Sequence, residues 1–382
     1  MPWKQGSVMD KRIEFVIRAK KKEASISKLC KEFGISRPTG YLWLRRYEDA
    51  GTVTALRERS HRPTECPHKT KTSIEDLVVR YRQETGWGAR KIGSKLGRQG
   101  HRLASSTIHR ILIRRGLVKP DPGERKATKR FERSECNEMV QMDFKGEYEV
   151  TEGKCYPLSF LDDHSRYLMG LWPLPSTGAA GVVDSLKTWF RKWGVPQSIL
   201  TDHGTPWYST TNGHGLTWVS VWLIKQAIKL KFSGIRHPQT HGKVERFHRT
   251  LKMRTRHRGE PSTMDEWRRW ATEFAREYNE ERPHEALQMR TPAEVYTTQN
   301  LRPYQENPPE WEYSGGTVLR LNTQGGLYYR GRQYFVCEAL ASERVRVDEL
   351  EENLEVTFRR TTVREINLRT GRSVAVVLDR LT

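Results

Sequence analysis

The sequence predicts a multidomain chain with N-terminal all-α helix-turn-helix modules, a central α/β domain and a C-terminal small β-barrel. Three observations lead to this prediction. Apolar residues recur at helical spacing up to about residue 118, strands and helices then mix over 137–297, and short alternating strands fill 312–382. The last pattern fits a small sandwich as well as a barrel.

Polar, proline-bearing stretches separate these parts at 60–73, 119–136 and 298–311. Such stretches are typical of linkers, and the second of them is strongly basic. The expected domains are therefore two helix-turn-helix domains at 1–59 and 73–118, the basic linker at 119–136, the α/β domain at 137–297 and the β-rich domain at 312–382.

Positive charge is concentrated in the first third of the chain. The 382 residues include 67 Lys and Arg against 46 Asp and Glu, a formal net charge of +21. Residues 1–135 hold 33 basic and 15 acidic side chains, whereas residues 136–382 hold 34 and 31. This asymmetry predicts an N-terminal part that binds a polyanion, and we expect nucleic acid.

Composition also argues against several other classes of protein. No apolar stretch approaches the ~20 residues that a membrane-spanning helix needs, and the first residues lack the apolar segment of a signal peptide. The five cysteines are scattered and form no CxxC pair, which argues against a disulfide framework and a Cys-rich zinc site. We expect a soluble, cytoplasmic protein with no membrane partner.

The first helix-turn-helix is predicted from residues 25–51. Apolar residues line one helical face over 26–33, Ser36 can cap the next helix, and Gly51 can end it. In this motif the start of the second helix meets base edges. An ordinary helical hairpin fits the same pattern, but the surrounding positive charge favours DNA. The expected contacts are made by Ser36, Arg37, Thr39 and Gly40.

A second module repeats the arrangement. Ala89, Ile92 and Leu96 share one helical face, and Ser105 or Ser106 can cap the helix that follows. Trp87 is best explained as a packing residue. On the second helix we expect phosphate contacts from Arg110, Arg114 and Arg115.

The central part mixes strands and helices. Three strands in succession, followed by alternating strands and helices, predict a mixed sheet with helices on its faces. The expected strands are 139–144, 155–161, 167–174, 197–201 and 231–233, and the expected helices are 177–193, 218–228, 240–257 and 264–279.

Three acids stand out by their position. Asp143 lies inside an apolar strand, where a charge is unfavourable unless it is paired or binds a metal. Asp202 follows another strand, at the sheet edge where α/β proteins place their sites. Glu245 comes early in a helix. Because no Cys/His cluster accompanies them, the oxygen ligands suit Mg²⁺ or Mn²⁺ rather than zinc.

Carboxylates that hold two such ions catalyse in-line phosphoryl transfer. Glu245, Arg249 and Lys252 share one helix face at i, i+4 and i+7, so an acid and two possible phosphate ligands follow one stripe. An ordinary surface ion pair between Glu245 and Arg249 explains their i, i+4 spacing equally well.

The three acids stand in sequence motifs that resemble those of a known superfamily. QMDFKG around Asp143, LTDHGTP around Asp202 and HPQTHGKVERFHRTLK around Glu245 resemble the D, D and E motifs of the retroviral-integrase superfamily. GWGARKI at 86–92, FLDDHSRY at 160–167, YNEERPHEAL at 278–287 and TPAEVY at 291–296 resemble segments of bacterial insertion-sequence transposases. These motifs cover roughly 73–297.

The resemblance implies an RNase H-like catalytic core that uses two Mg²⁺ or Mn²⁺ ions. Asp143, Asp202 and Glu245 inherit the role of catalytic metal ligands. It also implies contacts with the DNA end from Arg249 and Lys252, and a DNA contact from His241 in the loop before Glu245. Two further acids, Asp162 and Asp163, fall in a turn that the family pattern marks as structural.

Some features depart from the retroviral members. The gap of 42 residues between Asp202 and Glu245 is longer, with 207–215 as the extra loop, and 58 residues separate Asp143 from Asp202. Two helix-turn-helix modules replace the retroviral zinc-binding module. Both regions share one reading frame, as in single-frame insertion-sequence transposases.

The expected function is that of a DDE transposase. It would bind the double-stranded DNA of terminal inverted repeats, cleave each 3′ end, and join it to target DNA as a homo-oligomer, at least a dimer. One alternative is a catalytically inactive DNA-binding regulator derived from a transposase, and another is a structure-specific nuclease without strand transfer.

Overall fold

The computed structural model describes residues 7–58, 69–118, 132–209, 215–233, 242–376 and 380–381. The chain separates into two compact units, Met1–Thr70 and Lys71–Thr382. The basic linker expected at 119–136 and the loop expected at 207–215 lie partly outside the described residues.

Among its described residues the first unit has three α-helices, α1 Val8–Lys20, α2 Ile26–Glu32 and α3 Arg37–Ala50, followed by a 3₁₀ helix at Val53–Leu56. As expected, Ser36 caps α3, because its hydroxyl accepts a hydrogen bond from the Thr39 N–H at 3.3 Å. Gly51 ends α3 in the left-handed conformation at φ 65°. The predicted helical module is confirmed, and α2 and α3 supply its helix-turn-helix.

The second helical module also has three helices: α4 Thr72–Thr85, α5 Ala89–Arg98 and α6 Ser105–Arg114. Trp87, Ile92, Leu96 and Ile108 belong to its buried core. The expected serine cap of α6 is wrong. Ala104 occupies the capping position without a side-chain hydrogen bond, so the helix begins at the first of the two serines.

The central domain is built on a mixed seven-stranded sheet. Its strands are β1 Val140–Phe144, β2 Tyr148–Val150, β3 Gly153–Asp162, β4 Leu168–Leu174, β5 Ser198–Thr201, β8 Lys229–Ser233 and β16 Arg380–Leu381. Their order is β16-β8-β5-β1-β3-β2, with β4 also paired to β3. The strand β1 is antiparallel to β3 and parallel to β5, and β5 is parallel to β8.

Four helices accompany this sheet: α7 Ala179–Trp193, α8 Trp218–Lys225, α9 Gly242–Arg258 and α10 Met264–Arg276. A small hairpin of β6 Tyr208–Ser209 and β7 Gly215–Leu216 precedes α8. Phe160 and Phe190 belong to one buried cluster, and Phe247 and Phe274 to another. The predicted α/β core is confirmed.

The C-terminal region is β-rich, but the expected barrel is not confirmed. Its strands are β9 Thr317–Arg320, β10 Gly326–Tyr329, β11 Arg332–Phe335, β12 Arg344–Leu350, β13 Asn353–Phe358, β14 Thr361–Asn367 and β15 Ser373–Ala375. Five of them form an open antiparallel sheet in the order β15-β14-β13-β12-β9, beside the separate hairpin β10–β11. Apolar residues of this region belong to the same buried cluster as those of the central domain, so neighbouring residues cover them without closure of the sheet.

Helix packing in the first unit depends on Gly40. An added Cβ there would lie 2.6 Å from Cys30 Sγ and 2.9 Å from Phe15 Cζ. We predict that Gly40→Ala destabilises this unit by about 1–3 kcal/mol through overpacking. Gly97 in α5 is the matched control, since a Cβ added there would meet no atom within 4 Å, and Gly97→Ala should be neutral or slightly stabilising.

Hydrogen exchange of the α1–α3 amides in the full chain measures the effect. Exchange should accelerate in Gly40→Ala and stay unchanged in Gly97→Ala. Unchanged exchange in Gly40→Ala would contradict the tight packing of α3 on α1 and α2.

Candidate active site

The parallel pairing of β1 with β5 brings two of the predicted acids together. Asp143 is the fourth residue of β1, and Asp202 directly follows β5. The register pairs Gln141 with Leu200. Continued for two residues, this register places Asp202 beside Asp143, at the spacing of about 4.8 Å that separates neighbouring strands.

The third acid, Glu245, is exposed in the first turn of α9. A buried network ties that turn to β1. The Gln141 side chain donates to Asp163 at 2.8 Å and accepts from the Val244 N–H at 3.1 Å. Lys243 Nζ lies 2.5 Å from Asp163 Oδ2. The strand that carries Asp143 is therefore hydrogen-bonded to the residue before Glu245.

The charges of the other two acids act on Asp143. The pKa of Asp143 is raised to about 7, chiefly by burial and also by the charges of Asp202 and Glu245, while the Phe144 N–H and Lys145 act in the opposite direction. Since negative charge on either neighbour disfavours ionisation of Asp143, a cation among them would stabilise the ionised form.

The two acids of the 162–166 turn, Asp162 and Asp163, form hydrogen bonds and an ion pair within the protein. Asp162 accepts hydrogen bonds from the N–H groups of Asn137 and Ser165, both at 2.7 Å, and from the Ser165 hydroxyl at 2.6 Å. Burial raises the pKa of Asp162 despite these bonds. Asp163 binds Gln141 and Lys243, as described above. These contacts are what structural acids require.

Sequence reasoning missed His248, which is buried beside Asp143. Its Nε2 lies 2.8 Å from the Ser159 hydroxyl, and its Nδ1 lies 3.6 Å from Asp143 Oδ2. Ser159 faces Asp143 across the β1–β3 pair. The available signal was a histidine on the apolar face of α9, three residues after Glu245.

Basic side chains flank the acids. Arg249 and Lys252 are exposed along the same side of α9 as Glu245. Burial lowers the pKa of Lys145, and the nearby charge of Lys252 lowers it further. Lys145, which the sequence did not single out, therefore lies near Lys252 and two residues beyond Asp143. The predicted DNA contact His241 lies outside the described residues.

The predicted DNA-contact residues of the helical modules differ in exposure and in the contacts that their side chains already make within the protein. The hydroxyls of Ser36 and Thr39 are 2.8 Å apart, while Arg37 is exposed. Arg110 is exposed and contacts the Ser106 carbonyl of its own helix at 3.4 Å. Arg114 forms a 2.5 Å ion pair with the buried Glu75, which gives it a structural role within the module.

In the part of the chain that the structure describes, no group of three His, Cys, Asp or Glu side chains is close enough to coordinate one ion. Asp202 after β5 and Glu245 on α9 are exposed, and Asp143 is half-buried. Their oxygen atoms are ligands that suit Mg²⁺ or Mn²⁺.

Family models match most of this architecture. Two models of the integrase core domain match residues 133–238 and 226–292. A helix-turn-helix model matches residues 11–64, and a homeodomain-like model matches residues 39–112. The chain therefore carries an integrase core domain preceded by helix-turn-helix domains, which supports its resemblance to the insertion-sequence transposases of the integrase superfamily. The two integrase models together span all three predicted catalytic acids.

Solved retroviral structures are also similar to this chain. The magnesium-bound catalytic core domain of HTLV-2 integrase, in its dimeric form, is 14% identical at a TM-score of 0.33 and covers 42% of this chain and 97% of its own. The simian T-cell lymphotropic virus intasome with the PP2A regulatory subunit B56 gamma is 15% identical at a TM-score of 0.38 and covers 79% and 100%. The family assignment rests on the sequence models.

Among the residues that the structure describes, none of the helices combines the length and apolar content needed to cross a bilayer.

The raised pKa of Asp143 predicts a pH-dependent effect on stability. Because its folded pKa of about 7 exceeds the ordinary 3.8, ionised Asp143 destabilises the fold above pH 7, and this effect fades as the pH falls towards 4. Asp143→Asn should therefore stabilise the metal-free protein at pH 8 by on the order of 1 kcal/mol or more, and much less at pH 4.5.

Thermal unfolding at the two pH values, with and without Mg²⁺, measures this prediction. Mg²⁺ should raise the melting temperature of the wild type at pH 8 and leave Asp143→Asn unchanged. Asp162→Asn is the control and should destabilise, because an amide cannot accept all three hydrogen bonds that Asp162 receives. Equal stabilisation of wild type and Asp143→Asn by Mg²⁺ would contradict a cation site at Asp143.

Proposed function

We propose that this chain is an active DDE transposase, which binds the terminal inverted repeats of an insertion sequence and catalyses metal-dependent 3′-end cleavage and strand transfer. The observation that supports this most is the pairing of β1 with β5, whose continued register puts Asp202 beside Asp143, together with the hydrogen bond from the Val244 N–H to Gln141 that links the start of α9 to β1. Burial raises the pKa of Asp143, and the charges of Asp202 and Glu245 raise it further.

Asp143, Asp202 and Glu245 would hold two Mg²⁺ or Mn²⁺ ions. When bound, the two ions activate the attacking water or 3′ hydroxyl and stabilise the leaving oxygen. Asp143 acts as a ligand only when it is ionised, so this role requires a pH near or above 7 unless a cation lowers its pKa. His248 lies beside this carboxylate, with its Nδ1 3.6 Å from Asp143 Oδ2, and its own position is fixed by the contact of its Nε2 with the Ser159 hydroxyl.

Basic residues near the acids would hold the DNA end. Arg249 and Lys252 follow Glu245 along one exposed stripe of α9, and Lys145 lies near Lys252. Phosphate contacts from these side chains would place the scissile phosphate next to the carboxylates. His241 would act from the loop that precedes α9.

The helical modules would supply affinity for double-stranded DNA at the terminal repeats. The excess of basic residues in 1–135 predicts binding that weakens steeply as salt rises. Ser36, Arg37, Thr39 and Arg110 are the proposed contacts, with Arg114 retained as a weaker candidate because it already pairs with Glu75.

Joining two ends in concert requires two active sites, so the working form is proposed to be a homo-oligomer, at least a dimer, on the cytoplasmic DNA of a bacterium. The rival proposal is a regulator that binds the same repeats without chemistry. It is favoured by the lack of a close ligand cluster among the described residues.

Strand transfer by Glu245→Gln separates these proposals. Removal of one carboxylate ligand should reduce joining of a labelled repeat duplex to plasmid at least ~100-fold, in Mg²⁺ or Mn²⁺, while binding of the duplex changes little. Glu149→Gln is the matched control, because Glu149 is an exposed acid of β2 away from the site, and it should join DNA like the wild type.

Each outcome selects one function. Substantial joining by Glu245→Gln would contradict the assignment of this residue. Tight binding without joining by the wild type would favour the regulator, and cleavage without joining would favour a nuclease.

A further inference from the structure

The second helical module is attached to the catalytic domain by charged contacts. Cations of α5 pair with acids that follow α10 in the chain, at 3.2, 3.4 and 2.8 Å: Arg90–Glu285, Lys95–Glu281 and Arg98–Glu294. Ser94 and Arg98 also donate hydrogen bonds to the Met289 carbonyl, at 3.5 and 3.2 Å. One face of α5 is therefore occupied by the catalytic domain.

A second contact joins the module to α9. The buried Arg254 donates to Glu277 at 2.5 and 3.1 Å and to the Glu84 carbonyl at the end of α4. At Gly86 an added Cβ would lie 2.9 Å from His257 Nε2. The loop between α4 and α5 thus packs directly on the last turns of α9.

The same helix begins at the proposed active site. Glu245 and His257 are twelve residues apart on the unbroken helix α9, which corresponds to about 18 Å along its axis. A helix is stiff over this length, so the contacts at its far end fix the module relative to the carboxylates.

The helix of the module that would read DNA is left exposed. In a helix-turn-helix the second helix of the motif enters the major groove, and here that helix is α6. His109, Arg110 and Ile113 are exposed on α6. Among the described residues, the hydrogen bonds and ion pairs of the α6 side chains remain within the module.

We propose that the second module determines which phosphate is cut, because its contacts with α9 and with residues 277–294 hold DNA bound on α6 at a fixed distance from the acids. Arg90, Lys95, Arg98 and Arg254 are positioning residues in this proposal. It rests on the proposed function, since it assumes that α6 and the carboxylates act on the same DNA end.

The alternative role of the α5 cations is direct contact with DNA phosphates. Reversal of charge on both sides of the interface between α5 and residues 277–294 distinguishes the two roles. If the cations serve the acids of the catalytic domain, a charge swap restores function, whereas cations that serve phosphate cannot be rescued by changing Glu281 and Glu285.

The test uses three full-length variants. The first is Arg90→Glu with Lys95→Glu, the second is Glu281→Lys with Glu285→Lys, and the third combines all four changes. Two pairs are reversed because one exposed ion pair contributes little. All are made with Cys66→Ser and Arg246→Cys, where an iron chelate is attached to the exposed position 246. The other four cysteines are buried.

Hydroxyl radicals from the tethered iron cut a bound repeat duplex wherever α9 lies, whether or not the enzyme is active. In the parent protein the cuts should cluster within a few nucleotides. Each two-residue variant should spread them over at least about twice that range, and the four-residue variant should restore the cluster.

Some results would overturn the proposal. These are dispersed cuts in the parent, cuts that stay clustered in both two-residue variants, or failure of the swap to restore the pattern. Loss of DNA affinity only in the variant with changed α5 cations, without rescue, would assign those cations to phosphate. Clustered cuts from the parent, together with no joining of DNA by the unmodified wild type, would reject the proposed function while retaining the positioning role.

Discussion

Burial of Asp143 beside Asp202 and Glu245 imposes an electrostatic penalty on the catalytic core. Burial is the main cause of the raised pKa of Asp143, and the negative charges of the other two acids raise it further. The fold holds them there through backbone pairing of β1 with β5 and through the buried bonds of Gln141. The energy of these contacts offsets the electrostatic penalty until a cation binds.

The helix α9 connects this constraint to DNA recognition. Its first turn carries Glu245, its middle carries Arg249 and Lys252, and its last turns contact the second helical module. Because α9 is a single stiff helix, a displacement of one end also displaces the other end. Residues 136–382 have nearly balanced charge. Some of their acids pair with basic residues of the second helical module, in the ion pairs of α5.

Much of this could be predicted from local sequence. The capping role of Ser36, the stop at Gly51 and the position of Asp143 in a strand each depend on a few neighbouring residues. Other features depend on residues far apart in the chain, which hydrophobic periodicity does not predict. These are the contacts of His248, the ion pairs of α5 and the open C-terminal sheet. The start of α6 was missed by one or two residues: a cap at Ser105 would begin the helix at 106 and a cap at Ser106 would begin it at 107, whereas the helix begins at Ser105.

Anomalous diffraction from crystals of the protein with a repeat duplex and Mn²⁺ tests whether Asp143 and Asp202 bind one divalent ion. We predict an anomalous peak within bonding distance of an oxygen of each aspartate, and no such peak in Asp143→Asn. A manganese peak away from both aspartates, or DNA bound at the acids without manganese, would contradict a metal site at these residues.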